Sequence, residues 1–171
     1  PLREALTEVD RAAFTFDAAA DEASRLGGDV LPLDVAPHGE GRLAFTRRVP
    51  IGPIAAITPF NFPLNLAAHK LAPALAAGNP VFLKPATKTP LSALVLARLL
   101  HDAGVPHGGL SVLPLLRNVA DRLVTDDRFA LLTFTGSSAV GWDMKARAGR
   151  KRVVLELGGN AGVIIDASAN L

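Results

Sequence analysis

The 171-residue chain carries eighteen Lys and Arg against sixteen Asp and Glu, a formal charge of only +2, too balanced to mark nucleic acid or an anionic membrane as a partner. Its length and its 49% hydrophobic content suffice for one sizeable buried core, so a single domain is the default. The absence of cysteine and tyrosine removes disulfides, thiolate metal sites, thiol catalysis and a tyrosine-lysine proton relay.

From Leu2 to Leu26, the residues Leu2, Leu6, Val9, Ala13, Phe16, Ala20, Ala23 and Leu26 recur at helical spacing, and Gly27-Gly28 stops the pattern. One amphipathic helix is expected there. A polar stretch with two prolines follows, and residues 42–49 then alternate as in an extended arm or edge strand. After Pro50 short apolar strands alternate with helical segments, as in a parallel sheet with helices on both faces. The expected order is a strand over 51–58, a helix over 64–77 and a strand over 81–84. A helix capped by Thr89, with Pro90 in its first turn, then runs to Gly104. Strands are expected over 110–113 and 130–135, with a helix at 118–125 between them. A helix at 137–148 and strands at 153–157 and 163–166 close the series. The fold class is therefore α/β, a Rossmann-type parallel sheet preceded by an N-terminal helix and an extended arm, with 1–49 and 50–171 as the two parts. No apolar run approaches the roughly 20 residues that cross a bilayer, and the first residues lack a signal-peptide pattern. A soluble, cytoplasmic protein is the expectation.

In an open parallel sheet, ligands bind beyond the carboxyl ends of the strands, so the residues that follow each strand are the informative ones. Four junctions stand out: residues 58–63, 84–87, 134–137 and 156–160. Gly136-Ser137 at a strand-to-helix turn, with Gly141 one turn later, could present free N–H groups and a helix dipole to a pyrophosphate, or could simply cap a helix. Lys84 could reach ribose hydroxyls or phosphate from a strand end, or only snorkel. Asn61 could stabilise an oxyanion, cap the following helix, or do both. Glu156 lies after an apolar strand, where burial would tune it toward general-base use; the alternative is an ion pair with Lys151 or Arg152. His38, His69, His101 and His107 show no metal-ligand spacing, and no metal is expected. Arg147, Arg150, Lys151 and Arg152 read as a solvated helix end.

Taken in this order and at these separations, several motifs resemble those of the aldehyde dehydrogenase superfamily. They are Thr58-Pro59-Phe60-Asn61-Phe62-Pro63, the run from Lys70 to Asn79, Lys84-Pro85-Ala86, Phe134-Thr135-Gly136-Ser137 and Glu156-Leu157-Gly158-Gly159-Asn160. The similarity extends from about Gly41 to Leu171, and members related to lactaldehyde and phosphonoacetaldehyde dehydrogenases resemble the chain most. The resemblance implies oxidation of a small aldehyde to a carboxylic acid with NAD or NADP, through a thiohemiacetal and a thioester, by a homo-oligomeric full-length enzyme. Asn61 would belong to the oxyanion hole and Glu156 would be the base. The implied cofactor set is Thr58, Pro59, Phe60, Lys84, Thr87, Gly136, Ser137, Val140, Leu157 and Gly158. Within it Lys84 would hold the adenosine ribose, Ser137 and the helix terminus the pyrophosphate, and the backbone near Thr58 and Leu157 the nicotinamide side.

The chain departs from the family pattern in three places. The family's cysteine nucleophile follows the Glu-Leu-Gly-Gly motif and no cysteine is present, so these residues alone are expected to be inactive. Thr87 stands where many members carry a glutamate that grips the ribose, which leaves NADP open beside NAD. Residues 114–118 lack the glycines many members carry there, so the adenine pocket could be shaped differently. A catalytically inactive nucleotide-binding or partner-binding module is the alternative.

Overall fold

A computed structural model describes residues 1–170; Leu171, the last residue of the expected second part, lies outside the described residues. The elements are α1 (Leu2–Ala23), β1 (Val30–Leu31), β2 (Ala44–Phe45), β3 (Ile54–Ile57), α2 (Asn65–Ala76), β4 (Val81–Lys84), α3 (Leu91–Asp102), β5 (Leu110–Val112), α4 (Arg117–Thr125), β6 (Leu131–Thr135), α5 (Ser138–Arg147) and β7 (Arg152–Glu156). Strands β3 to β7 form one parallel sheet in the order β5-β4-β3-β6-β7. The chain runs outward from β3 through β4 to β5, then returns to the other side of β3 for β6 and β7, which makes the β3/β6 boundary the switch point.

Alternation along the strands sends side chains to two cores, one on each face. Ile54, Ala56, Val81 and Leu83 pack with Ala67, Leu71 and Ala74 of α2 and Ala93 and Leu96 of α3. Ala55, Ile57, Leu132 and Phe134 pack on the other face with Leu123 and Val124 of α4 and Ala148 after α5. Central strand β3 is buried at every position, as a strand covered on both faces must be.

Helix α1 lies along α2, but not on the face its leucines suggested. Leu2, Leu6 and Val9 remain more than half exposed, whereas Ala12 is buried and Phe16 reaches the first core. Close helix approach selects the small residue. The expected arm becomes a short antiparallel ribbon, β1 with β2, so part of the polar stretch before Gly41 is itself paired.

Two expected features are absent. Thr89 does not cap α3: Pro90 occupies the cap position, and the Thr89 hydroxyl is buried with no hydrogen-bond partner among the described residues. Residues 163–166 are not a strand; Val163, Ile164 and Ile165 are exposed and unpaired. An apolar β-branched run becomes a strand only where a neighbour offers a ladder, and none of the described residues does so here. No helix among the described residues is long and apolar enough to cross a membrane.

Candidate active site

The sheet register brings the four junctions to one edge. Ile57 is level with Lys84 on one side and Phe134 on the other, and Thr135 is level with Glu156. The segments beginning at Thr58, Lys84, Gly136 and Glu156 therefore leave the sheet together, at its carboxyl edge. Thr58 is buried, and its N–H donates to the Lys84 carbonyl at 3.2 Å, which ties the first junction to the second. Pro59 is half-buried and Phe60 and Asn61 are exposed on the loop that follows; Lys88 sits over the Phe60 ring at 5.4 Å.

On the α4/α5 face lies a small cleft of about 110 Å³ whose lining includes Lys84, Arg117, Val140, Met144 and Arg147. Its far wall is fastened by Arg147, which donates to both carboxylate oxygens of Asp121 at 2.8 Å and to Asp143 at 2.7 Å, bridging α4 and α5. Arg147 is exposed in the last turn of α5, as a solvated helix end would have it, and its ion pairs to Asp121 and Asp143 add a link between the two helices. Lys151 is also tied down, donating to the Val124 and Ala148 carbonyls at 2.7 and 2.8 Å. Both bonds satisfy carbonyls at helix ends, where a cation also suits the dipole. The Lys84 ammonium has no hydrogen-bond partner among the described residues, and burial lowers its pKa from the ordinary lysine value. Thr87 is exposed on the following loop.

Ser137 occupies the cap position of α5 but makes no side-chain cap bond, so its hydroxyl and the first-turn amides have no side-chain occupant. Gly136 N–H donates to the Glu156 carbonyl at 3.0 Å, drawing the turn against the end of β7. A side chain at Gly141 would collide with Leu157 and crowd the Phe134 ring, so glycine lets α5 approach the sheet. Gly158 continues past the edge and is exposed.

On the opposite face the sheet carries two polar pairs, one buried under α2 and one at the exposed edge. Lys70, only 5% exposed, donates from Nζ to Thr133 Oγ1 at 2.9 Å. Thr135, two residues further along the same face, donates from Oγ1 to Glu156 Oε2 at 2.8 Å. Burial lowers the Lys70 pKa, while the Glu156 carboxylate nearby pulls it the other way. Glu156 is exposed rather than buried, and it pairs with neither Lys151 nor Arg152 among the described residues; its partner is Thr135. Asn61 does not cap α2 either, since Leu64 holds that position.

An uncapped helix tip, a cleft with a desolvated lysine and a carboxylate thus share one edge around a switch point. The model of the aldehyde dehydrogenase family matches residues 1–171. The chain belongs to the aldehyde dehydrogenase family. Among curated members, the 3-sulfolactaldehyde dehydrogenase of Priestia aryabhattai is 48% identical over 171 residues, covering 99% of this chain and 36% of the relative. Aldehyde dehydrogenase 21 of Physcomitrella patens, solved with the reaction product succinate, superposes with a TM-score of 0.90 at 52% identity, over 94% of this chain and 34% of that one. The NADP-dependent glyceraldehyde-3-phosphate dehydrogenase of Bacillus halodurans C-125, solved with NADP, gives 0.87 at 42% identity, over 93% and 34%. This aldehyde dehydrogenase chain therefore spans about a third of the length of the relatives it matches.

Sequence reasoning assigned no role to Lys70, Thr133 or Thr135. The available signal was a lysine set in the apolar helical run Leu66 to Leu75, where a charge is costly unless partnered. Arg117 was also passed over, because its place in the cleft depends on how α4 and α5 pack.

Proposed function

We propose that these residues form the dinucleotide-binding part of an NAD(P)-dependent enzyme that oxidises an aldehyde to a carboxylic acid. The observation that carries this reading is the shared carboxyl edge, at which the bare α5 tip, Lys84 and Glu156 can face one extended ligand. Residues present fit a dinucleotide: an uncapped helix of ten residues suits a pyrophosphate, and a desolvated lysine in a cleft suits ribose hydroxyls. When bound, the dinucleotide supplies the hydride acceptor.

Lys84 and Thr87 hold the adenosine ribose, with Gly136, Ser137 and Val140 around the pyrophosphate. The segments Thr58-Pro59-Phe60 and Leu157-Gly158 flank the nicotinamide side. Asn61 donates its amide N–H to the oxygen that gains charge as the aldehyde carbon is attacked. Glu156, oriented by Thr135, takes a proton from the attacking water, and the buried Lys70 ammonium steadies the carboxylate through its field. Because the 171 residues include no cysteine, a thiol nucleophile has to come from elsewhere in the protein, and these residues alone are inactive. With threonine at position 87, no carboxylate opposes a 2′-phosphate, so both NAD and NADP bind.

Calorimetric titration of the full-length protein with NAD and NADP tests the cofactor reading, and binding of neither would remove it. Glu156→Gln is expected to slow turnover by roughly 100-fold while leaving dinucleotide affinity within about twofold; unchanged turnover would take Glu156 out of the reaction.

A further inference from the structure

Helix α2 begins without a cap of its own. Pro63 and Leu64 offer no side-chain acceptor, Leu64 at the cap position makes no cap bond, and the first turn contains no acidic residue. Its leading amides are instead met from another helix. Glu8 Oε1 on α1 accepts from Leu64 N at 2.8 Å and from Asn65 N at 3.0 Å, across 56 and 57 residues of sequence. A carboxylate at a helix N-terminus is favoured by the dipole, and bonds to a charged acceptor are roughly twice as strong as neutral ones.

This clasp lies next to the reacting end. Phe62 O accepts from Leu66 N at 3.0 Å, so helical bonding reaches back to the residue directly after Asn61. The Asn61 side chain is exposed and makes none of the described hydrogen bonds, so its aim comes from the backbone that carries it. The geometry points to Glu8 as a positioning residue for Asn61: it fixes the head of α2, and through it the direction of the amide that receives the oxyanion. This rests on the reading of Asn61 given above. Glu8 itself touches no reacting atom, and its role lies outside the carboxyl-edge set.

The test is a double-mutant cycle in the intact enzyme. Asn61→Ala is expected to lower kcat by roughly 100-fold. Glu8→Ala should lower it by about tenfold with the dinucleotide KM within twofold, and Glu8→Gln, which keeps a neutral acceptor, should restore most of the loss. The double variant Glu8→Ala/Asn61→Ala should be no slower than Asn61→Ala alone, because Glu8 acts only through the amide. A merely structural Glu8 would lower thermal stability and multiply with Asn61→Ala. Full additivity, or wild-type kcat in folded Glu8→Ala, overturns the inference while leaving Asn61 in place. Wild-type kcat in Asn61→Ala overturns both. Should Glu8→Ala not fold, Glu8→Asp carries the same cycle, since its carboxylate keeps the charge but is one methylene short of the amides.

Discussion

Lys70 shows what a single buried cation does to the molecule. Its native pKa lies below the unfolded value, so between the two the unfolded chain binds more protons, and stability must rise with pH across the window beneath 10.5. Lys84 adds a contribution of the same sign. Urea midpoints measured from about pH 8 upward should therefore climb in the parent and climb less in Lys70→Met. An equal slope in both would show that Lys70 is hydrated. Thr87 decides a different matter. Placing a carboxylate there sets a negative charge beside the cleft that holds Lys84, so Thr87→Glu should weaken NADP by about tenfold, roughly 1.4 kcal/mol, and change NAD by less than threefold. Equal changes for both nucleotides would show that position 87 does not face the ribose.

At the scale of elements, Gly141 sets how closely α5 approaches β6 and β7. A larger side chain gains a few tenths of a kcal/mol in helix propensity, but forcing it against Leu157 and Phe134 costs about 1–3 kcal/mol, so the packing effect wins. Gly141→Val is expected to lower the urea midpoint and to weaken dinucleotide binding together, because the tip of α5 moves with the helix. A lower midpoint with unchanged binding would uncouple the two. The same elements show what a sequence can disclose. Strand β4 was legible to the residue and the other sheet strands and their helices to within a few residues, because alternating apolar runs, Gly78 and Gly104 mark their limits locally. The 163–166 strand failed because pairing is decided by a neighbour. Thr89 failed as a cap because Pro90 took the cap position, and α1 turned its alanine rather than its leucines inward. The positions of Asn61, Lys84, Ser137 and Glu156 followed from the rule that ligands meet strand ends. The contacts of Lys70 with Thr133, of Arg147 with Asp121 and of Glu8 with the head of α2 were illegible because the partners lie 63, 26 and 56 residues away.

Over the whole molecule, the accessible surface is 11766 Å² for 17.8 kDa. A compact monomer of that mass exposes about 8,000 Å². The excess includes large apolar side chains: Phe14, Val35, Leu43 and Ile164 are each at least 70% exposed, and β7 leaves one edge unpaired. Such surface is covered in stable proteins or drives association. These 171 residues, expressed alone, should therefore bind a hydrophobic dye and sediment as assemblies. A dye-silent monomer would mean that the ribbon and α1 fold back over the apolar patches. The clasp from α1 to the head of α2 also governs where the gene can be cut. A protein trimmed to start at Pro50, where strands and helices begin to alternate, would strip α1 from the flank of its neighbour and leave two main-chain donors without an acceptor. Any minimal nucleotide binder taken from this sequence has to bring its opening 23 residues along.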